Sequence, residues 1–310
     1  MTAGASPRIV RRRVDGVLLL DKASGMSSNT ALQKARRLYA AEKAGHSGTL
    51  DPLATGLLPV LFGEATKFGA ELLDSDKRYL ADVVLGVCTT TGDAEGDILS
   101  TRPVAVTAAQ LEAVLARFRG PILQIPPMYS ALKHAGRPLY AYARAGEAVE
   151  RPARAVTIHA LELVSWEGGH LVLDVHCSKG TYVRTLAEDI GEALGCGAHL
   201  SALRRTGAGV FKLDDAVTLE DLERLDAQAR DARLLPVDVL VAHLPRLELT
   251  AEQARRLAAG QTLAGLGAGE GRIRAYGEGR FLGIVETGAD GLLRARRLVR
   301  TDAETPSKNP

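Results

Sequence analysis

The chain has 310 residues, 46% hydrophobic and 25% charged, with a formal net charge of +2. These values exclude wholesale disorder and leave room for roughly two domains, each with its own core. The longest N-terminal apolar run, Val17–Leu20, is too short for a signal peptide or a membrane span, and Cys88, Cys177 and Cys196 form neither a CxxC pair nor a disulfide framework, so a reduced, cytoplasmic protein is expected.

Residues 1–13 read as a flexible basic tail. Gly16–Leu20 reads as a strand. Ser27 and Ser28 precede Ala31, Leu32, Ala35 and Leu38 at helical spacing, which predicts a capped helix to about Ala40. Ala44–Gly56, with three glycines and a proline, reads as a loop. A short helix over Glu64–Leu73 follows, then a strand over Tyr79–Gly86 and turn chemistry over Thr91–Asp97. Thr107 caps a helix ending at Phe118, before Gly120 and Pro121. Pro138–Ala145 reads as a helix, Ala155–Val164 and Leu171–Cys177 as a strand pair around Gly168-Gly169, and Thr181–Leu194 as a helix. After a short strand over Val210–Leu213, acidic helical turns run to about Ala229. Arg246–Val299 combines one short helix, Ala251–Ala258, with Gly-rich strands, so a small β-rich second domain is expected there. Runs of strands with separate helices point to α+β architecture.

Charge is uneven along this order. Residues 1–50 hold nine Lys/Arg against three Asp/Glu, and residues 213–240 hold three against eight.

Generic cofactor motifs are absent. There is no GxxxxGK[ST], no GxSxG and no GxGxxG opening a βαβ unit. His176, Cys177, Cys196 and His199 match no standard zinc spacing, and ordinary packing accounts for them. The informative segment is GHSGTLDPLATGLLP, Gly45–Pro59, in which small residues surround one carboxylate, Asp51, pinned by Pro52. Glycines allow close approach of a bulky ligand, although an Asp-Pro pair alone also makes an ordinary Asx-type turn. Two further blocks accompany it: DSDKRYLADVVLG with Tyr79, and HCSKGTYVRTLAEDIG with Lys179, Tyr182 and Arg184. Singly, Tyr79 reads as a strand residue and Arg184 as a surface charge.

Together with GVLLLDKASGMSSN, GEATKF, IPPMYSALKHAGRPLYAYAR and LGCGAHLSALRRT, these blocks resemble the TruB family of tRNA pseudouridine synthases, in order and spacing, over about residues 14–210. The resemblance after about 245 is looser. It implies a catalytic domain over 14–240 with a central, mostly antiparallel mixed sheet flanked by helices and an insertion at about 104–155. It also implies a small PUA-like RNA-binding domain over 245–300 and a flexible tail over 301–310. The implied reaction converts uridine 55 in the tRNA T-loop to its C-glycoside isomer, with no cofactor, no metal and no protein partner, by a monomer. Asp51 matches the nucleophile and Arg184 the arginine that pairs with it as a fork. Tyr79 matches a tyrosine that stacks on the base with its hydroxyl near C5. Tyr182 and Leu203 match pocket walls, and His46 the histidine that fills the space the base leaves. Lys22 falls in the LLLDK motif as a structural or RNA-proximal residue. Lys133, His134, Arg137 and Arg144 are expected to clamp the loop of the RNA. Arg294, Arg296, Arg297 and Arg300 are expected to face RNA, and the acidic 213–240 segment to face away. Two alternatives share the scaffold: a non-catalytic RNA-binding or RNA-folding protein, against which the intact Asp51, Tyr79 and Arg184 set argues, and a guide-RNA-dependent rRNA synthase, against which the absence of a lysine-rich tail argues.

Overall fold

The computed structural model describes residues 10–300 except Ala131, Ala148 and Ala268. The flexible ends expected at residues 1–9 and 301–310 therefore lie outside the described residues. The chain opens with β1 (Gly16–Lys22), α1 (Ser28–Leu38), β2 (Ala44–His46) and β3 (Thr55–Phe62). A 3-10 turn leads into α2 (Gly69–Leu73) and β4 (Lys77–Leu85). Next come a small hairpin, β5 (Val87–Thr89) with β6 (Ile98–Thr101), then α3 (Ala108–Phe118) and β7 (Gly120–Gln124). A second small hairpin, β8 (Lys133–His134) with β9 (Arg137–Pro138), precedes α4 (Leu139–Arg144). The chain returns through β10 (Arg154–Glu167), β11 (His170–Cys177), α5 (Val183–Ala193), β12 (Ala198–Ala208) and β13 (Phe211–Lys212). Two short helices, α6 (Leu219–Arg224) and α7 (Ala227–Asp231), end this part. The last part holds β14 (Arg246–Leu249), α8 (Ala251–Ala258), β15 (Gly271–Gly277), β16 (Arg280–Thr287) and β17 (Leu293–Leu298).

The expected α+β architecture is present. The main sheet runs β1-β3-β12-β4-β11-β10-β7, with β2 and β13 at its sides. Every neighbouring pair is antiparallel except β3 with β12, so the sheet is mixed. α3 and α5 cover one part, where Leu111, Leu115, Leu186 and Ile190 meet Ile158, Leu173 and Val175. α1 and α6 cover another, with Ala31, Leu32 and Ala35 on Leu18, Leu58 and Val60. The buried positions of α1 recur three and four apart, and Ser27 Oγ caps it by accepting from the Thr30 N–H at 3.1 Å. In the last part β15, β16 and β17 are antiparallel and β14 joins β15 in parallel, over a core of Leu249, Leu257, Ile273 and Val285. This unit docks through Ile284, which shares a cluster with Val17, Leu57 and Phe68, and through the Phe281 ring, 5.6 Å from that of Phe68.

The structure departs from the sequence reading in three places. The 44–56 segment is not all loop: Ala44–His46 pairs antiparallel with β3. β12, read only as a motif, is a central strand between β3 and β4. Its charged, Gly-interrupted sequence conceals this, because buried Arg205 and half-buried Arg204 occupy positions normally apolar in a central strand. β3 crosses β12 closely at Gly56, where a Cβ would lie 2.3 Å from the Arg205 carbonyl and φ is +95°, so only glycine fits. Finally, the basic segment is tied down from Arg11 onward. The Arg12 N–H donates to Ala40 O at 2.7 Å, its carbonyl accepts from Glu42 at 3.0 Å, and its guanidinium pairs with Asp231. The basic and acidic stretches thus partly neutralise each other instead of facing opposite ways.

Candidate active site

The loop between β2 and β3 carries Asp51, and residues of the β1–α1 connection hold it from below. Ser28 Oγ accepts from the Leu50 N–H and donates to the Leu50 carbonyl, both at 2.8 Å. The Gly25 N–H donates to Pro52 O at 2.9 Å. Lys22, fully buried, donates from Nζ to Met26 O at 2.7 Å, Ala23 O at 3.0 Å and Pro52 O at 3.4 Å. Both residues flanking Asp51 are therefore pinned by backbone-directed bonds, which leaves the carboxylate itself as the projecting group. Burial lowers the Lys22 ammonium to about 8 against the pull of Asp51.

Arg184 enters from the first turn of α5. Its Nη2 lies 2.9 Å from Asp51 Oδ2 and donates to Tyr129 O at 2.7 Å. Its Nη1 lies 3.4 Å from Asp93 Oδ2 and donates to Thr91 O at 3.1 Å. The fork expected to clamp Asp51 alone is instead divided between two carboxylates, because the β5–β6 turn brings Asp93 to its far side. Exposure separates their roles. The Asp51 side chain is 44% exposed, whereas those of Arg184 and Asp93 are 8% and 4% exposed. One carboxylate faces open space and the other backs the guanidinium. Burial of the site raises the Asp51 carboxyl above its ordinary range; Arg184 opposes this and Asp93 adds to it.

Asp51 and Arg184 stand in the wall between two cavities. The first, of about 360 Å³, is lined by Asp51, Tyr79, Tyr182, Arg184, Leu203 and Arg205. Its size suits a small ligand, and its aromatic and aliphatic walls meet a few polar groups. Burial raises the Tyr79 phenol, with Arg205 opposing. The second cavity, of about 450 Å³, holds His46, Asp93, Tyr129, Tyr140 and Arg144 beside the shared Asp51. His46 has an inward Nδ1 with no partner among the described residues, and burial keeps its imidazolium disfavoured. Tyr129 and Tyr140 are exposed at this mouth, and Arg144 lies over the Tyr140 ring at 5.6 Å.

Six of the seven expected residues thus surround the two cavities, five in the first and His46 in the second. Lys22 lines neither and acts beneath the loop. The insertion residues divide as well: Lys133 and His134 are exposed, while Arg137 pairs with Glu147 at 3.0 Å and stacks on Tyr142 at 4.4 Å. Arg294 and Arg296 are paired with Asp290 and Glu286, so part of the C-terminal basic charge is neutralised locally. Asp93, Ser28 and Arg205 were missed. Asp93 sits in a stretch whose composition signals only a turn, and no local pattern marks it. No cluster of three or more His, Cys, Asp or Glu side chains able to hold a metal occurs among the described residues.

Three family models match consecutive segments: TruB family pseudouridylate synthase (N terminal domain) over 36–183, tRNA pseudouridylate synthase B C-terminal domain over 184–242, and Pseudouridine synthase II TruB, C-terminal, over 245–299. A protein of Aromatoleum aromaticum named tRNA pseudouridine synthase B is 58% identical over 303 residues, covering 98% of each chain. The chain belongs to the TruB family. One from Chromobacterium violaceum, with the same name, is 58% identical over 304 residues, covering 97% of this chain and 99% of its own. Among solved structures, a Cbf5-Nop10-Gar1 complex matches with TM-score 0.67 and 28% identity, covering 88% of this chain and 78% of that one. The archaeal box H/ACA Nop10-Cbf5 complex matches with TM-score 0.66 and 26% identity, covering 91% and 85%. Asp51, Tyr79 and Tyr182 fall within the first matched segment, and Arg184 opens the second.

Proposed function

We propose that this protein isomerises uridine to pseudouridine in tRNA, at position 55 of the T-loop, with Asp51 as the nucleophile. The observation that carries the reading is the single half-exposed carboxylate, ion-paired to a buried arginine, at the mouth of a cavity walled by Tyr79, Tyr182 and Leu203. The relatives named tRNA pseudouridine synthase B support tRNA as substrate.

A base inside folded RNA must leave its stack before the enzyme can act on it, and apolar and aromatic walls replace the stacking it loses. The first cavity takes the flipped uracil, and the second, with His46 and exposed Tyr129 and Tyr140, faces the RNA it came from. Arg184 keeps Asp51 ionised and aimed. The carboxylate then attacks C6 of the ring or C1′ of the ribose, or acts at C2′; each route needs the same ionised, oriented group. The glycosidic bond breaks and the enclosed uracil turns in the cavity. It rejoins through C5 as any bond to Asp51 breaks and the carboxylate is regenerated; C5 then loses its proton and N1 gains one, and the Tyr79 hydroxyl, which lines the same cavity, is the candidate group for relaying it. No atom is gained or lost overall, so a redox or group-transfer cofactor is unnecessary. The protein acts as a monomer, and recognition rests on loop shape, phosphates and 2′-hydroxyls.

The test is an unmodified tRNA transcript labelled with tritium at uridine C5 and incubated with the protein alone. Tritium release with pseudouridine mapped only at position 55 is expected, and Asp51→Ala should abolish release while tRNA affinity stays within about threefold. Modification at another position, or turnover by Asp51→Ala near that of the wild type, refutes the reading.

A further inference from the structure

Arg205 is among the largest fully buried side chains, at 1% exposure, and it lines the first cavity. A buried charge is costly unless a counter-charge meets it. Among the described residues no carboxylate lies within ion-pairing distance of this guanidinium. Its bonds go elsewhere: Nε donates to Leu57 O at 2.7 Å and Nη2 to Gly48 O at 2.9 Å. The other polar group facing it is the Tyr79 phenol. Arg205 on β12 and Tyr79 on β4 are directly opposed in register and line the same cavity, and burial raises the Tyr79 phenol while the Arg205 charge opposes that shift. On the other side, a Cβ at Gly48 would come 3.1 Å from Nη1, so the guanidinium lies flat against the backbone of the Asp51 loop. Its positive charge reaches around the cavity floor and disfavours protonation of His46, Lys22 and Lys77.

We infer that Arg205 is a positioning residue: one buried guanidinium holds the Tyr79 phenol at the cavity wall and, through Gly48, fixes the loop that carries Asp51. The two sides of the bound base are thereby set relative to each other. A planar fork can donate to two carbonyls in different directions while its charge faces the Tyr79 phenol, which a lysine ammonium cannot do from one point. The inference rests on the pseudouridine-forming reading above.

A double-mutant cycle with single-turnover kinetics on the tRNA transcript tests it. Arg205→Gln should lower kcat by roughly 30-fold or more while tRNA Kd stays within about threefold, because the residue acts on the wall and not on RNA affinity. In a Tyr79→Phe background the same substitution should cost at least about threefold less, since the phenol that the guanidinium faces is gone. A general loosening of the fold would leave the cost undiminished in that background. Arg205→Lys, which keeps the charge and loses the fork, should fall between; if circular dichroism shows that Arg205→Gln does not fold, the lysine variant serves in the cycle under the same criterion. Losses that multiply in full, or an Arg205 variant within about threefold of wild-type kcat, overturn the inference. A wild-type protein that forms no pseudouridine overturns the proposed function instead, so the two failures are distinguishable.

Discussion

Replacing Asp93 by Asn removes one charge from behind Arg184 and changes little else. Asp93 Oδ1 accepts from the Thr91 hydroxyl at 2.5 Å and from the Glu95 N–H at 3.1 Å, and an amide oxygen can keep both bonds. What disappears is the ion pair across 3.4 Å to Arg184 Nη1. At an effective dielectric of about 20 that attraction is worth about 5 kcal/mol before desolvation. Breaking a buried pair from one side costs about 3–5 kcal/mol. Arg184 retains Asp51 and two backbone carbonyls, so the lower end applies and unfolding free energy should drop by about 3 kcal/mol. If half or more of that appears as lost aim of Asp51 in the transition state, kcat falls about 10- to 100-fold. The pH profile supplies a second readout. In the proposed mechanism turnover needs ionised Asp51, so it should rise with pH through the Asp51 pKa. The Asp93 charge helps to hold that pKa up, so removing it moves the acid limb to lower pH. Single-turnover tritium release measured from about pH 4 to 7, with a urea melt of the same variant, reads both effects. A kcat within about threefold of wild type together with an unmoved acid limb refutes the divided-fork argument.

Arg184→Lys should lower turnover by about 100-fold or more, because a point charge cannot serve two carboxylates and two carbonyls at once; an unchanged rate removes Arg184 from the site. Lys22→Met tests the anchor beneath the loop. Burial holds the Lys22 pKa at about 8 against an ordinary 10.5, so the folded state gives up its proton first. Wild-type stability relative to Lys22→Met should therefore rise between pH 8 and 10.5, by up to about 3 kcal/mol in urea melts, and a difference that is flat with pH contradicts the burial argument. Affinity for tRNA should fall about tenfold or more between 50 and 200 mM salt, as phosphate contacts are screened; a flat dependence in filter binding counts against electrostatic docking.

Local signals in the chain carried much of the fold. Ser27 ahead of the Ala31, Leu32, Ala35 series marked α1 to within two residues at its end, because a cap and a 3.6-residue apolar repeat are properties of the segment itself. Thr107 did the same for α3, where it forms a full capping box with Gln110. β12 escaped notice because Arg204 and Arg205 break its apolar run. Their justification lies in residues distant along the chain: Asp21 pairs with Arg204 at 2.6 Å, and Leu57 and Gly48 accept from Arg205. The placement of charge is hidden from the sequence for the same reason. A sum over neighbours in sequence contains no information that Arg12 meets Asp231.

The sequence by itself therefore determined the α+β class, the blocks that carry the family resemblance and the choice of Asp51 as the carboxylate of interest. These are matters of residue type, local spacing and resemblance. Only the tertiary structure decided that Lys22 works under the loop and that His46 faces a different cavity from Tyr79. It alone divided Arg184 between Asp51 and Asp93. Those facts depend on which strands of the mixed sheet become neighbours and how closely β3 crosses β12 at Gly56. Pairing across a sheet is set by long-range packing, which no window of the sequence contains.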